Sequence, residues 1–188
     1  RNPFSSMLIE SKNLIFRGAP GTGKSYLARE IAADIVSDGY FDDYTLLTDE
    51  QKKQVEFVQF HPSYDYSDFV EGLRPKLNAD GTMGFTLQDG IFKKFVARAR
   101  VNYENAQGST ETLKKYIFII DEINRGEISK IFGELFFSID PGYRGRAGEI
   151  STQYSNLHSD PDEKFYIPEN LYIIGTMNDI DRSVDSFD

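Results

Sequence analysis

Apolar residues in this chain fall into two kinds of stretch. Some are short and compact. Asn13 to Arg17 (NLIFR) runs into a glycine-rich turn, Val55 to Phe60 (VEFVQF) stops at His61-Pro62, and Tyr116 to Ile120 (YIFII) and Leu171 to Gly175 (LYIIG) carry no polar alternation. Unbroken runs of this length suit strands of a parallel sheet, which are covered on both faces. The other stretches repeat at helical spacing. Leu27, Ile31 and Ile35 predict a helix over Lys24 to Val36, with Gly39 as a stop signal just beyond it. Phe92, Phe95, Val96 and Ala99 share one face of a helix from about Gly90 to Ala106, and Ile128, Ile131, Phe132, Leu135, Phe136 and Ile139 form a stripe closed by Pro141-Gly142. Between them, Asp65 to Met83 reads as loop, with Pro75 and an Asp80-Gly81 turn, and Arg144 to Ile167 as a polar, hairpin-like excursion. Strands alternating with helices predict an α/β domain: a mostly parallel sheet with helices on both sides, in three layers.

Composition narrows the class. At 188 residues, with 39% hydrophobic and 14% aromatic residues, the chain can bury one real core and is not a disordered segment. The absence of cysteine excludes a disulfide framework and a thiolate metal site, and two histidines, His61 and His158, argue against a histidine-rich one. No apolar run approaches the ~20 residues needed to span a bilayer, so no membrane role is expected and a cytoplasmic location is the reading. A net charge of −9 disfavours nonspecific gripping of DNA phosphates by this piece alone. The chain starts at Arg1 and stops at Asp188 in what reads as a helix start, which is expected of one nucleotide-binding core, residues 1–188, within a longer protein.

The chemistry concentrates in three places. Gly18-Ala19-Pro20-Gly21-Thr22-Gly23-Lys24-Ser25 fits G-x-x-x-x-G-K-[ST], between a predicted strand and a predicted helix. The glycines let backbone N–H groups turn inward around phosphate oxygens, and the helix adds its positive end. Lys24 is expected at the β- and γ-phosphates, Ser25 at Mg²⁺, and Tyr26 beside the nucleotide. The strand Ile117 to Ile120 then delivers Asp121 and Glu122. Asp121 is the candidate carboxylate for Mg²⁺, and Glu122 the candidate general base for the attacking water. Both acids also suit the start of a following helix. The fourth strand delivers Met177-Asn178; Asn178 is placed to bond the γ-phosphate and the lytic water, and equally suits a turn at a strand end. Together these predict Mg²⁺-dependent binding and hydrolysis of a nucleoside triphosphate.

Their order is that of AAA+ proteins. Within that class the chain resembles the McrB-type GTPases of modification-dependent restriction systems. The resemblance rests on Phe57 to Pro75 (FVQFHPSYDYSDFVEGLRP), Ile119 to Gly126 (IIDEINRG) with Ser129 to Leu135, and Tyr172 to Asn178 with Asp181-Arg182-Ser183. It implies a sheet of order 5-1-4-3-2, whose fifth strand, arginine finger and helical lid are missing from this chain, leaving the first strand as an edge. It implies a homo-oligomeric ring, often a hexamer, a McrC-like nuclease partner, and DNA recognition by a domain outside this chain. The family usually reads Met-Asn-Thr-Ala-Asp-Arg-Ser where this chain has Asp179-Ile180 in the middle. GTP is preferred by that resemblance and ATP stays open. Two other functions fit the same site: a nucleotide-gated oligomerisation or partner-binding module with little hydrolysis, and a MoxR-like chaperone ATPase, against which the FHPSY segment argues. The expected sheet order puts the second strand at an edge, far from the phosphates, so His61 is read as structural. Asp181 and Arg182 suit either a neighbouring subunit or a solvated turn.

Overall fold

A computed structural model describes residues 2–178. Asp179 to Asp188, and with them the Asp181, Arg182 and Ser183 of the sequence reading, lie outside the described residues. An N-terminal helix α1 (Pro3–Ser11) leads into β1 (Asn13–Gly18) and α2 (Lys24–Val36). After a 3-10 turn come α3 (Asp49–Lys52), β2 (Val55–Gln59), α4 (Tyr66–Phe69), β3 (Glu71–Leu77), β4 (Met83–Asp89) and α5 (Ile91–Gly108). Then follow β5 (Tyr116–Asp121), α6 (Ile128–Phe132), α7 (Leu135–Ser138), a run of 3-10 turns and β6 (Leu171–Asn178). The main sheet has the order β1-β6-β5-β2, all parallel. Leaving aside β3 and β4, which form a separate antiparallel ribbon, this is the expected 1-4-3-2 order, and among the described residues β1 is an edge paired only with β6.

The central strands need apolar residues at every position because each face packs its own core. Phe118, Ile120, Leu171 and Ile173 enter one cluster with Phe92, Phe95 and Val96 of α5, Phe69 of α4 and Phe132 of α6. Ile117, Ile119, Tyr172 and Ile174 enter the other with Leu8 of α1 and Ala28, Ile31 and Ile35 of α2. The first cluster is aromatic: Phe69 stacks on Phe92 at 4.8 Å between centroids, and both meet Phe118 edge-on.

Two expectations are corrected and one element is added. Asp65 to Met83 is not mainly loop: after the single turn α4 it enters the β3–β4 ribbon, with Pro75 opposite Phe85. Both strands of a two-stranded ribbon are edges, where a proline lacking its N–H is tolerated. The stripe from Ile128 to Ile139 is two short helices rather than one. Gly133 breaks it at φ +57°, where any β-carbon would run into the Tyr66 ring. The helix α1 carried no signal in the sequence reading; its start is capped by the Asn2 side chain with Pro3 in the first turn.

Buried charges pin the polar excursion. Glu71, fully buried at the ribbon's root, accepts from Lys93 Nζ at 2.6 Å and lies 2.8 Å from His158 Nε2. Burial alone would raise its pKa, but the donors Lys93, Thr152 and His158 hold it below the usual carboxylate range. Arg144, 3% exposed, donates to the carbonyls of Ile139 and Leu171 and to Asn13 Oδ1, tying the excursion to the starts of β1 and β6. Burial pulls its pKa down to about 10, so the guanidinium stays charged at neutral pH. Replacing Arg144 with Met leaves the buried Leu171 carbonyl without this donor, at ~1–3 kcal/mol, while Asn13 Oδ1 is part-buried and the Ile139 carbonyl keeps Asn13 Nδ2 as a donor. Urea unfolding of Arg144→Met should therefore show a loss of about 1–3 kcal/mol; a loss under ~0.5 kcal/mol would refute the tether.

Candidate nucleotide site

The register brings the strand ends together. Gly18 of β1 stands opposite Asn178 of β6, and Gln59 of β2 stands opposite Asp121 of β5. Just beyond them a cleft of about 460 Å³ is lined by Pro20, Gly21, Gly23, Lys24, Ser25, Tyr26, Gln59, Asp121, Glu122, Thr176 and Asn178. Gly21 and Gly23 both sit at φ +80°, a left-handed conformation that lets the loop curl and hand over directly to α2. Inside the loop, Thr22 Oγ1 donates to the Ala19 carbonyl at 2.8 Å. Lys24 Nζ folds across it to the carbonyls of Gly18 at 3.1 Å and Ala19 at 2.7 Å and to Thr22 Oγ1 at 3.2 Å. The cation thus sits across the loop, held by two carbonyls and a hydroxyl. Tyr26, 65% exposed, stands beside it.

Ser25 Oγ donates to Asp121 Oδ1 at 2.9 Å, joining the two candidate metal ligands across a separation of 96 residues. A hydroxyl and a carboxylate are hard oxygen donors. Magnesium, which keeps several waters and takes the rest of its ligands from phosphate, fits a site with so few protein groups. Among the described residues, no group of three or more His, Cys, Asp and Glu side chains forms a dedicated metal cage.

Glu122 lies in the left-handed region, φ 50° and ψ 48°, at a cost of about 1–3 kcal/mol for a residue with a side chain. The strain turns its carboxylate back into the cleft, where Oε2 accepts from Gln59 Nε2 at 2.8 Å and Oε1 from Asn178 Nδ2 at 3.0 Å. Neither acid caps a regular helix: Asp121 ends β5, and Glu122 precedes a single 3-10 turn, Ile123–Arg125, without a side-chain cap bond.

Of the predicted positions, Pro20, Gly21, Gly23, Lys24, Ser25, Tyr26, Asp121, Glu122 and Asn178 line one cleft, and Gly18, Ala19 and Thr22 lie behind it as partners of Lys24 Nζ. Two lining residues escaped the sequence reading. Gln59 corrects the expectation that β2 is remote: the strand is at the edge, but its last side chain reaches Glu122. Thr176 is 3% exposed, accepts the Glu122 N–H at 3.1 Å and donates to Asp121 Oδ1 at 3.1 Å. The signal for both was positional, a polar residue at the end of a strand next to the one carrying Asp121. His61 lies two residues past Gln59; it is exposed, its Nδ1 accepts from the Ser63 N–H, and its ring meets Tyr64 edge-on.

The sequence profile of the AAA domain, dynein-related subfamily, matches residues 13–188. The chain is 41% identical over 177 residues to the type IV methyl-directed restriction enzyme EcoKMcrB subunit of Escherichia coli (strain K12), covering 94% of this chain and 32% of that protein. It is 28% identical over 202 residues to the type II restriction enzyme BsuMI component YdiS of Bacillus subtilis (strain 168), covering 96% of this chain and 54% of the relative. The chain thus spans about a third of the length of the first and about half of the second.

Proposed function

This chain belongs to the AAA domain family, dynein-related subfamily, and on that footing we propose that it binds a nucleoside triphosphate with Mg²⁺ and hydrolyses it as the motor of a McrB-like DNA-restriction complex. The observation that carries the reading is the convergence of Lys24, the Ser25–Asp121 pair and the Glu122 carboxylate on one cleft.

In this reading the inward amides of Gly18 to Ser25 and the N-terminus of α2 hold the β- and γ-phosphates. Lys24 exchanges its carbonyl partners for phosphate oxygens. Ser25 and Asp121 hold the Mg²⁺, which when bound offsets charge on the phosphates. Glu122 accepts a proton from the water that attacks the γ-phosphorus; the bond to the β–γ bridging oxygen breaks, releasing diphosphate nucleotide and inorganic phosphate. Both Glu122 oxygens already accept one amide N–H, yet a carboxylate has about four acceptor positions, so room remains for the water. Asn178 orients Glu122 and, through it, that water.

GTP is the proposed substrate, by likeness to a McrB subunit, with ATP the alternative. Likeness to a subunit and a component of restriction enzymes supports work within a multi-subunit restriction system, and with it we propose a ring of several copies, a McrC-like nuclease partner, DNA recognition through another domain and a cytoplasmic location. One observation favours the rival, a nucleotide-gated binding module: the base is tied down by Gln59 and Asn178. Phosphate release by the full-length protein decides between them. Mg²⁺-dependent turnover, faster on GTP than on ATP, is expected; binding with no release on either nucleotide would leave only the gated module.

A further inference from the structure

Among the described residues, Thr176 is the one hydroxyl that touches both acids of the site. Its Oγ1 accepts the backbone N–H of Glu122 and donates its proton to Asp121 Oδ1, each at 3.1 Å. A hydroxyl has one proton to give, so the geometry uses it fully. The residue is buried and lies on β6 one position past the Gly175–Ile120 pair, level with Asp121. The same Asp121 oxygen accepts from Ser25. A serine that turns a lone pair to a cation still has its proton for Asp121, and Thr176, set back on β6, is the second donor that aims the same carboxylate oxygen. Thr176 Oγ1 also fixes the amide at the start of the left-handed residue that swings Glu122 into the cleft.

We propose that Thr176 is a positioning residue for Mg²⁺-nucleotide binding, aiming the Asp121 carboxylate at the cation and locking the backbone of Glu122. The inference rests on the proposed function. Removing a hydrogen bond to a metal-ligating carboxylate typically costs ~10–100-fold in metal affinity. Valine at 176 keeps the branched shape and removes the hydroxyl; serine keeps the hydroxyl and removes a methyl.

The test titrates Mg²⁺ into the full-length protein with fluorescent methylanthraniloyl imidotriphosphates of guanosine and adenosine. It compares the parent with Thr176→Val and Thr176→Ser, and records thermal unfolding without ligand. The Mg²⁺ concentration for half-maximal tight binding should rise ~10–100-fold in Thr176→Val and stay near the parent's in Thr176→Ser, with equal weak binding in EDTA. A Thr176→Val response that overlays the parent's overturns the proposal, as does an equal shift in Thr176→Ser, which would mark a packing effect. A parent that gains no affinity from Mg²⁺ overturns the proposed function itself. Should valine prevent folding, Thr176→Cys, with its feeble donor, takes its place under the same criteria.

Discussion

Lys24→Ala is expected to lose nucleotide binding. Truncating one partner of a desolvated, hydrogen-bonded charge pair costs about 2–5 kcal/mol, which is ~30- to 5,000-fold in Kd. Lys24 is placed for the upper part of that range, because its ammonium sits over the loop proposed to hold the phosphates and, among the described residues, no other lysine or arginine lines the cleft. The folded protein loses little by comparison. The Gly18 and Ala19 carbonyls that Lys24 braces lie at a partly exposed surface, where water replaces the ammonium, so the thermal midpoint should move by only a few degrees. Lys24→Arg separates charge from shape: its wide planar fork cannot sit as a point charge over three carbonyl and hydroxyl acceptors, so it should restore part of the affinity at most. Titration with a fluorescent nucleotide measures all three proteins. A Kd for Lys24→Ala within ~3-fold of the parent's, under the 1.4 kcal/mol of a tenfold change, would remove the loop from the binding site.

The parts of this fold that could be read from the chain are those whose cause is local. Ile117 to Ile120 alternate between two cores, so every position must be apolar, and the run announces a central strand. The glycine-rich loop is legible for the same reason: its glycines and Lys24 serve one turn of backbone. The ribbon was hidden although its pattern is regular. Leu73, Pro75 and Leu77 face Leu87, Phe85 and Met83 across the pair, an apolar ladder on one side, but Pro75 and the Asp80-Gly81 turn read as breaks. The stripe after Asp121 has helical spacing at every position, yet Gly133 must yield to the Tyr66 ring, a neighbour far away in the chain. Gln59 and Thr176 were hidden for a related reason. Each is an ordinary polar residue at a strand end, and its role exists only once the register sets it beside Asp121 and Glu122.

Glu122→Gln should separate binding from turnover. The substitution changes almost nothing in shape. A glutamine at 122 keeps one acceptor, and its new NH₂ would face the amide nitrogen of either Gln59 or Asn178; that partner relieves the conflict by a half-turn of its own side-chain amide, presenting oxygen. The left-handed backbone and its bond to Thr176 do not depend on the charge. Affinity for Mg²⁺-nucleotide should therefore stay within ~3-fold of the parent, less than 1.4 kcal/mol. Turnover should fall ~10²–10⁴-fold, the usual contribution of a positioned general base. Phosphate release by the full-length protein, read beside the same fluorescent titration, tests both halves at once. Equal turnover in Glu122→Gln and the parent would sink the assignment of the base while leaving the phosphate loop untouched. A loss of binding would show instead that Glu122 works mainly as the keystone between Gln59 and Asn178. The strain supplies a further contrast. Glycine at 122 relieves a left-handed conformation that costs about 1–3 kcal/mol, so Glu122→Gly should be as inactive as Glu122→Gln and yet no less stable than the parent. That combination, stability kept and chemistry lost, is what a strained backbone retained for its carboxylate predicts, and a packing residue would show the opposite.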